Sequence, residues 1–135
     1  LEQKKFIECW GSGNPRREFM HVDDLADASI FALDNWDPNK KDAPLDELGD
    51  PLNWLNVGTG IDLSLKELAE MIANITSFKG EIVWNKEKPD GTFRKLLNVS
   101  KLEKLGWKSK ISLKEGLMIT YKDYKKELKE NKLRK

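Results

Sequence analysis

The spacing of apolar positions changes several times along the chain, and each change predicts an element. Residues 4–9 (KKFIEC) alternate loosely, with Phe6 on one face and Ile7 and Cys9 on the other, as in a strand. GSGNP then turns the chain, because Gly, Asn and Pro favour turn dihedrals. RREFMHV predicts a second short strand, and LADASIFAL a helix over 25–33 with Asp23 or Asp24 as its cap. The apolar residues of that helix cover most of its circumference. A helix of this kind is buried on more than one side, so it is expected to need a neighbour that a chain this small does not obviously supply. WLNV (54–57) predicts a short strand closed by GTG.

The second half is punctuated by S-x-x-E. Ser64 with Glu67, Ser100 with Glu103 and Ser112 with Glu115 each match a capping box, in which the serine oxygen takes a first-turn amide and the glutamate reaches back to the serine N–H. The first predicts a helix with Leu65, Leu68, Ile72 and Ile75 on one face. The second predicts a short helix ending at Gly106, and the third a helix carrying Leu113, Leu117, Tyr121, Tyr124 and Leu128. EIVW (81–84) predicts a strand, followed by the loop NKEKPDGTFRK. Residues 34–53, with three prolines and many acids, predict a surface loop. The order β, β, α, loop, β, α, β, loop, α, α makes a mixed α/β chain.

Composition narrows the possibilities. With 135 residues, 39% hydrophobic and 35% charged, the chain is sized for one globular domain. The net charge of +1 gives no basic face for nucleic acid, and the lysine-dense C-terminal tail, interrupted by Glu127 and Glu130, predicts a solvated helix end. No run of about 18 apolar residues predicts a membrane span. A single cysteine excludes an internal disulfide and fits a reducing, cytoplasmic setting. The chain opens on Leu within an expected strand, which predicts a piece of something longer.

Candidate chemistry is sparse. Cys9 in an apolar strand predicts a packed thiol, and His21 in FMHVDD a backbone or cap partner. Asp23 and Asp24 lack the Cys/His neighbours of a metal site. GSGNPR carries Arg16 where a dinucleotide fingerprint needs a third glycine. GTG lacks both a third glycine and the Lys-Ser/Thr of a phosphate loop, so neither is a nucleotide fingerprint. The positive signal is a combination. Trp10 offers a flat face for a base or sugar, and Arg16 or Arg17 a planar fork for phosphate oxygens. Lys88, Asp90, Arg94 and Lys95 fill a second loop. Facing each other, the two loops would clamp a nucleoside diphosphate; the alternative is a pair of solvated turns.

WGSGNPRREFMHVDDLADA, NVGTG, LSLKELAEMIA, KPDGTFRKLLNVSKLEKLGW and ISLKEGLMITYKDY closely resemble, in this order, the C-terminal portion of the GDP-L-fucose synthases (GDP-4-keto-6-deoxy-D-mannose 3,5-epimerase/4-reductases). These belong to the extended short-chain dehydrogenase/reductase family. The resemblance covers nearly the whole chain except about 34–53, and GSGNPRREF with KPDGTFRK is its most specific part. It implies an α/β substrate-binding portion (1–135) of an enzyme whose Rossmann domain binds NADPH. Residues 22–33 and 53–60 would pack against that Rossmann domain. It implies a GDP-sugar substrate, a homodimeric parent, and catalytic and cofactor-binding residues upstream of Leu1, leaving this portion inactive alone with no cofactor of its own. By the same resemblance Trp10, Arg17, Asp90 and Lys95 hold the substrate. Arg16 departs from an apolar residue common in the family, and Phe93 from a proline. Another sugar-nucleotide epimerase or dehydratase, or a stand-alone nucleotide-sugar binding module, are the alternatives.

Overall fold

A computed structural model describes residues 4–132. In chain order the elements are β1 (Phe6–Trp10), β2 (Arg16–Glu18), α1 (Val22–Asn35), β3 (Asp62–Ser64), α2 (Leu65–Thr76), β4 (Glu81–Asn85), β5 (Arg94–Lys95), α3 (Ser100–Lys104) and α4 (Leu113–Lys129). The expected chain start at Leu1 and the last three residues of the lysine-dense tail lie outside the described residues.

The chain divides into two compact units. The first gathers the described residues of Leu1–Arg17, Asp62–Lys95 and Leu113–Lys135. Here β1 and β4 pair in parallel, Phe6 opposite Glu81 and Trp10 opposite Asn85. Alternation puts Ile7, Cys9 and Ile82 on one face of this pair, where they line an apolar hollow with Ala69 and Ile72 of α2 and Tyr121 and Tyr124 of α4. The expected capping box of α2 forms: Ser64 Oγ accepts from Glu67 N at 3.1 Å, and Glu67 Oε2 accepts from Ser64 N at 2.7 Å. A second, three-stranded sheet has the order β3-β2-β5, with β2 and β5 parallel. Helix α4 begins directly after Ser112, as expected for that serine at the cap position, and ends on Lys126 and Lys129, whose charges suit a helix C-terminus.

The second unit spans Glu18–Ile61 and Leu96–Ser112. Ala28, Leu102 and Trp107 form its buried centre, with Met20, Phe31, Leu55 and Val57 packed against them. Carboxylates on α1 hold the chain around α3. Trp107 Nε1 donates to Asp27 at 2.8 Å, and Lys110 Nζ lies 3.0 Å from the same carboxylate. Asp24, only 2% exposed, accepts from the amides of Lys110 and Ile111.

Several expectations are corrected. Helix α1 starts three residues early, and its cap is His21, whose Nδ1 accepts from Asp23 N at 3.3 Å, rather than Asp23 or Asp24. Asp24 is one turn too deep to cap and instead serves a distant pair of amides. Residues 54–57 form no strand, because a strand exists only where a neighbour completes its ladder and no described segment does so. Ser100 sits inside α3 rather than before it: the N-cap is Val99 without a side-chain bond, and Ser100 N is taken by Asn98 Oδ1 at 3.1 Å. Finally, the expected loop over 85–95 contains β5, and the second strand closes at Glu18. The 34–53 segment is a loop from Trp36 onward, shaped by Asp46, whose carboxylate accepts from the amides of Leu48 and Asp50.

Candidate functional site

Trp10, Arg17, Asp90 and Lys95 all lie in the first unit, on or beside the turns that follow β1 and β4. The two turns are tied together at three points. Gly11 N donates to Asn85 O at 2.9 Å, and Arg16 N to Phe93 O at 2.8 Å. Between these, both oxygens of Asp90 are engaged by Ser12, one by its amide at 2.8 Å and one by its hydroxyl at 2.6 Å. Gly11 has φ +85°, and a Cβ there would collide with the Asp90 carboxylate. Gly13, at φ +78°, would drive a Cβ to 2.9 Å from the Trp84 ring. The glycines of GSGNP are therefore required by left-handed turns under close approach.

This latch leaves Trp10 exposed at 70%, with Lys88 Nζ 5.4 Å from its ring centroid. Asp90 is thus a fastener between the turns, and its sequence-based role as an acceptor for ribose hydroxyls would have to use the remaining lone pairs. The Ser12 hydroxyl and amide hold its carboxyl below the ordinary value of 3.8. A group whose pKa is depressed by folding stabilises the protein above its unfolded pKa, and that contribution fades as pH falls through the folded value. Thermal unfolding recorded from about pH 6 down to about pH 2 is therefore expected to show a smaller acid loss for Asp90→Asn than for the parent. Identical slopes would show that folding does not lower the Asp90 pKa.

Alternation sorts the four cations of β2 and β5. Arg16 pairs with Arg94 in register, and Arg17 with Lys95. Partners in a parallel ladder share a face, and successive residues take opposite faces. On one face Arg16 Nε donates to Asp62 Oδ1 at 2.9 Å, and Arg94 Nε bonds Asp62 Oδ2. On the other, Arg17 Nη1 donates to the Arg16 carbonyl at 2.7 Å, and Nη2 lies beside Gly91, where a Cβ would stand 3.3 Å away. Among the described residues no carboxylate forms an ion pair with Arg17 or Lys95. Two like charges facing each other across a ladder repel. The arrangement is electrostatically incomplete and suited to an anion.

Sequence reasoning missed Asp62 and Glu18. Asp62 stands in an unremarkable DLS strand and shows its role only when β3 meets β2. Glu18 belongs to the second unit. Its Oε1 accepts from the amides of Thr59 and Gly60, each at 2.6 Å, and its Oε2 from Leu97 N at 3.1 Å. A run of turn amides is a concave anion site, so GTG was a signal; its anion is the protein's own carboxylate. A dinucleotide pyrophosphate would have to displace it, and the GSGNP turn is closed in the same way by Asp90. The glycine turns of this chain do not fit NADPH.

Among the described residues, no cluster of three His, Cys, Asp or Glu side chains could hold a metal, and no helix is long and apolar enough to cross a membrane. His21 is engaged as a helix cap, and Cys9 lines the apolar hollow.

Residues 1–44 match the NAD dependent epimerase/dehydratase family. The chain is 48% identical over 118 residues to a probable GDP-L-fucose synthase 1 of Oryza sativa subsp. japonica, covering 87% of this chain and 32% of that protein. It is 47% identical over 115 residues to the GDP-L-fucose synthase of Escherichia coli K12, covering 85% and 35%. A crystal structure of a GDP-6-OMe-4-keto-L-xylo-heptose reductase from C. jejuni superposes with a TM-score of 0.81 at 46% identity, over 91% of this chain and 34% of that one. Over 85–91% of its length the chain is thus similar to part of these sugar-nucleotide enzymes. It spans about a third of the length of the curated relatives it matches. Its α/β fold is that of part of such a reductase, and the three proteins described above are named for GDP-linked sugars. Among the described residues, the β2–β5 ladder presents two cations, Arg17 and Lys95, with which no carboxylate forms an ion pair.

Proposed function

We propose that this chain is the substrate-gripping portion of a GDP-L-fucose synthase, in which GDP-4-keto-6-deoxy-D-mannose is epimerised at C3 and C5 and reduced at C4. The observation that carries this reading is the Arg17–Lys95 pair, two cations in register with no carboxylate partner among the described residues, beside the latch that presents Trp10. Arg17 and Lys95 would take the diphosphate, Arg17 through the planar fork that matches phosphate oxygens. Trp10 would stack on the base or sugar with the ring face that Lys88 leaves open. Holding the diphosphate away from the reacting carbons fixes the sugar ring, so binding energy is converted into orientation.

When bound, NADPH supplies the hydride for C4; the glycine turns of this chain offer it no cradle. The chain's own part in the reaction is to hold and orient the sugar nucleotide, and it is inactive alone. The second unit supports a further element of this reading. Val22, Leu25, Ile30 and Leu33 on α1 are exposed, Leu33 at 84%, as is Trp54. These side chains, within 22–33 and 53–60, would pack against the Rossmann domain of the same protein. The soluble, homodimeric, cytoplasmic character expected from the sequence belongs to the same proposal.

The test is competition for the substrate site of the complete enzyme. GDP is expected to displace a bound GDP-sugar at least about tenfold better than UDP, a difference of about 1.4 kcal/mol. Equal displacement, or a preference for UDP, would move the chain to another branch of the sugar-nucleotide enzymes. No displacement by either would sink the clamp altogether.

A further inference from the structure

The four cations of β2 and β5 pose an electrostatic problem. Arg16 faces Arg94, and Arg17 faces Lys95, across a ladder of only two rungs. Like charges in register destabilise a strand pair, and two rungs supply little backbone bonding to resist them. The solution on one face is built in. Asp62, whose side chain is 5% exposed, accepts Arg16 Nε at 2.9 Å and bonds Arg94 Nε, while its backbone carbonyl accepts Arg16 Nη2 at 2.9 Å. Glu67, the capping-box glutamate of α2, stands 3.7 Å from Arg16 Nη1 and steadies the same guanidinium. One carboxylate thus bridges two strands through their arginines and is itself kept ionised by them: the Arg94 and Arg16 guanidinia hold Asp62 below the ordinary carboxylate value. Among the described residues, the opposite face receives no such anion.

We infer that Asp62 is a positioning residue for anion binding: by neutralising Arg16 and Arg94 on one face of the β2–β5 ladder, it holds Arg17 and Lys95 in register on the other, as a preformed seat for a diphosphate. This rests on the reading of Arg17 and Lys95 as the diphosphate-binding cations. Asp62 itself touches no substrate. Its effect is preorganisation, which saves the ligand the work of assembling its own site. Without it, all four cations of the two strands would repel at once, β5 would part from β2, and an arriving diphosphate would have to gather Arg17 and Lys95 before binding them.

The experiment compares GDP with guanosine in the complete enzyme, by calorimetry or by competition against a fluorescent GDP analogue. Guanosine carries the base and ribose but no phosphate, so the ratio of the two affinities isolates the diphosphate seat. Asp62→Asn is expected to reduce that ratio about tenfold, with guanosine affinity within about twofold of the parent. Adding Arg94→Gln, which removes one of the repelling cations, is expected to restore most of the ratio. Loss of affinity for both ligands alike would mark a general packing role and overturn the inference.

Arg17→Ala run in parallel separates the two readings. If it leaves the ratio unchanged, the diphosphate reading fails, and this inference with it. If it collapses the ratio while Asp62→Asn does not, the positioning role alone fails. Should Asp62→Asn not fold, the charge-balanced double variant Asp62→Asn/Arg94→Gln decides. Folding with a parental ratio supports neutralisation as the role; a collapsed ratio, or a second failure to fold, overturns it.

Discussion

Arg17→Ala in the complete enzyme is expected to raise KM for the GDP-sugar by about ten- to a hundredfold, corresponding to the ~1.5–3 kcal/mol of a hydrogen bond to a charged group. The guanidinium is half-buried, anchored to the Arg16 carbonyl at 2.7 Å and flanked by Gly91. It therefore meets a phosphate with little loss of side-chain freedom, which favours the upper part of that range. The contact would lie on the diphosphate, away from the carbons that react, and would be made equally in ground and transition states. Such uniform binding appears in KM, with kcat within about threefold of the parent. Arg17→Lys keeps the charge but loses the fork, and should recover only part of the loss. Steady-state kinetics with the GDP-sugar varied at saturating NADPH measure all three. An unchanged KM for Arg17→Ala would remove Arg17 from the site.

The second large effect is on stability. Glu18→Ala is expected to cost about 3 kcal/mol, because three backbone amides, of Thr59, Gly60 and Leu97, lose one shared charged acceptor. Each amide could regain water, which keeps the total well below three full charged hydrogen bonds. Glu18→Gln retains one carbonyl oxygen and should lose roughly half as much. Thermal melts give the overall cost, about 10 °C at the usual conversion for chains of this size. Hydrogen exchange gives its location: the amides of Thr59, Gly60 and Leu97 should exchange faster in the variant. A parental melting point with those amides still protected would show that the turn stands without its carboxylate.

These two residues are neighbours in sequence with different tasks, and the contrast shows how the ladder assigns function. Arg16 and Arg17 are chemically identical, and their residue type and spacing offer no ground for choosing between them; only the family resemblance singled out Arg17. In the structure Arg16 is consumed by Asp62, and Arg17 is not. Asp90 undergoes the reverse change. It reads as a ligand-binding carboxylate, and its contacts make it the fastener of two turns. Its placement beside Gly91, and so beside Arg17, still ties it to the site it was expected to join.

The sequence by itself determined whatever depends on near neighbours along the chain. Helix α2 follows from Ser64, Glu67 and a 3.6-residue apolar period; the turn at GSGNP follows from its glycines; β1 follows from its loose alternation and β4 from the EIVW segment. Its specific motifs also carried the family resemblance, and with it the proposal that Trp10, Arg17, Asp90 and Lys95 hold the substrate. Only the tertiary structure decided the rest, because the deciding partners are distant in sequence. Residues 54–57 have the composition of a strand and no described neighbour to complete it. Ser100 matches a cap pattern, but Asn98 takes its amide first. Asp62, Glu18 and Asp24 carry no local signal, since a carboxylate's role is set by the donors brought to it: Arg94 lies 32 residues from Asp62, and Leu97 lies 79 from Glu18. Backbone periodicity is a property of a segment, whereas charge compensation is a property of the assembled fold.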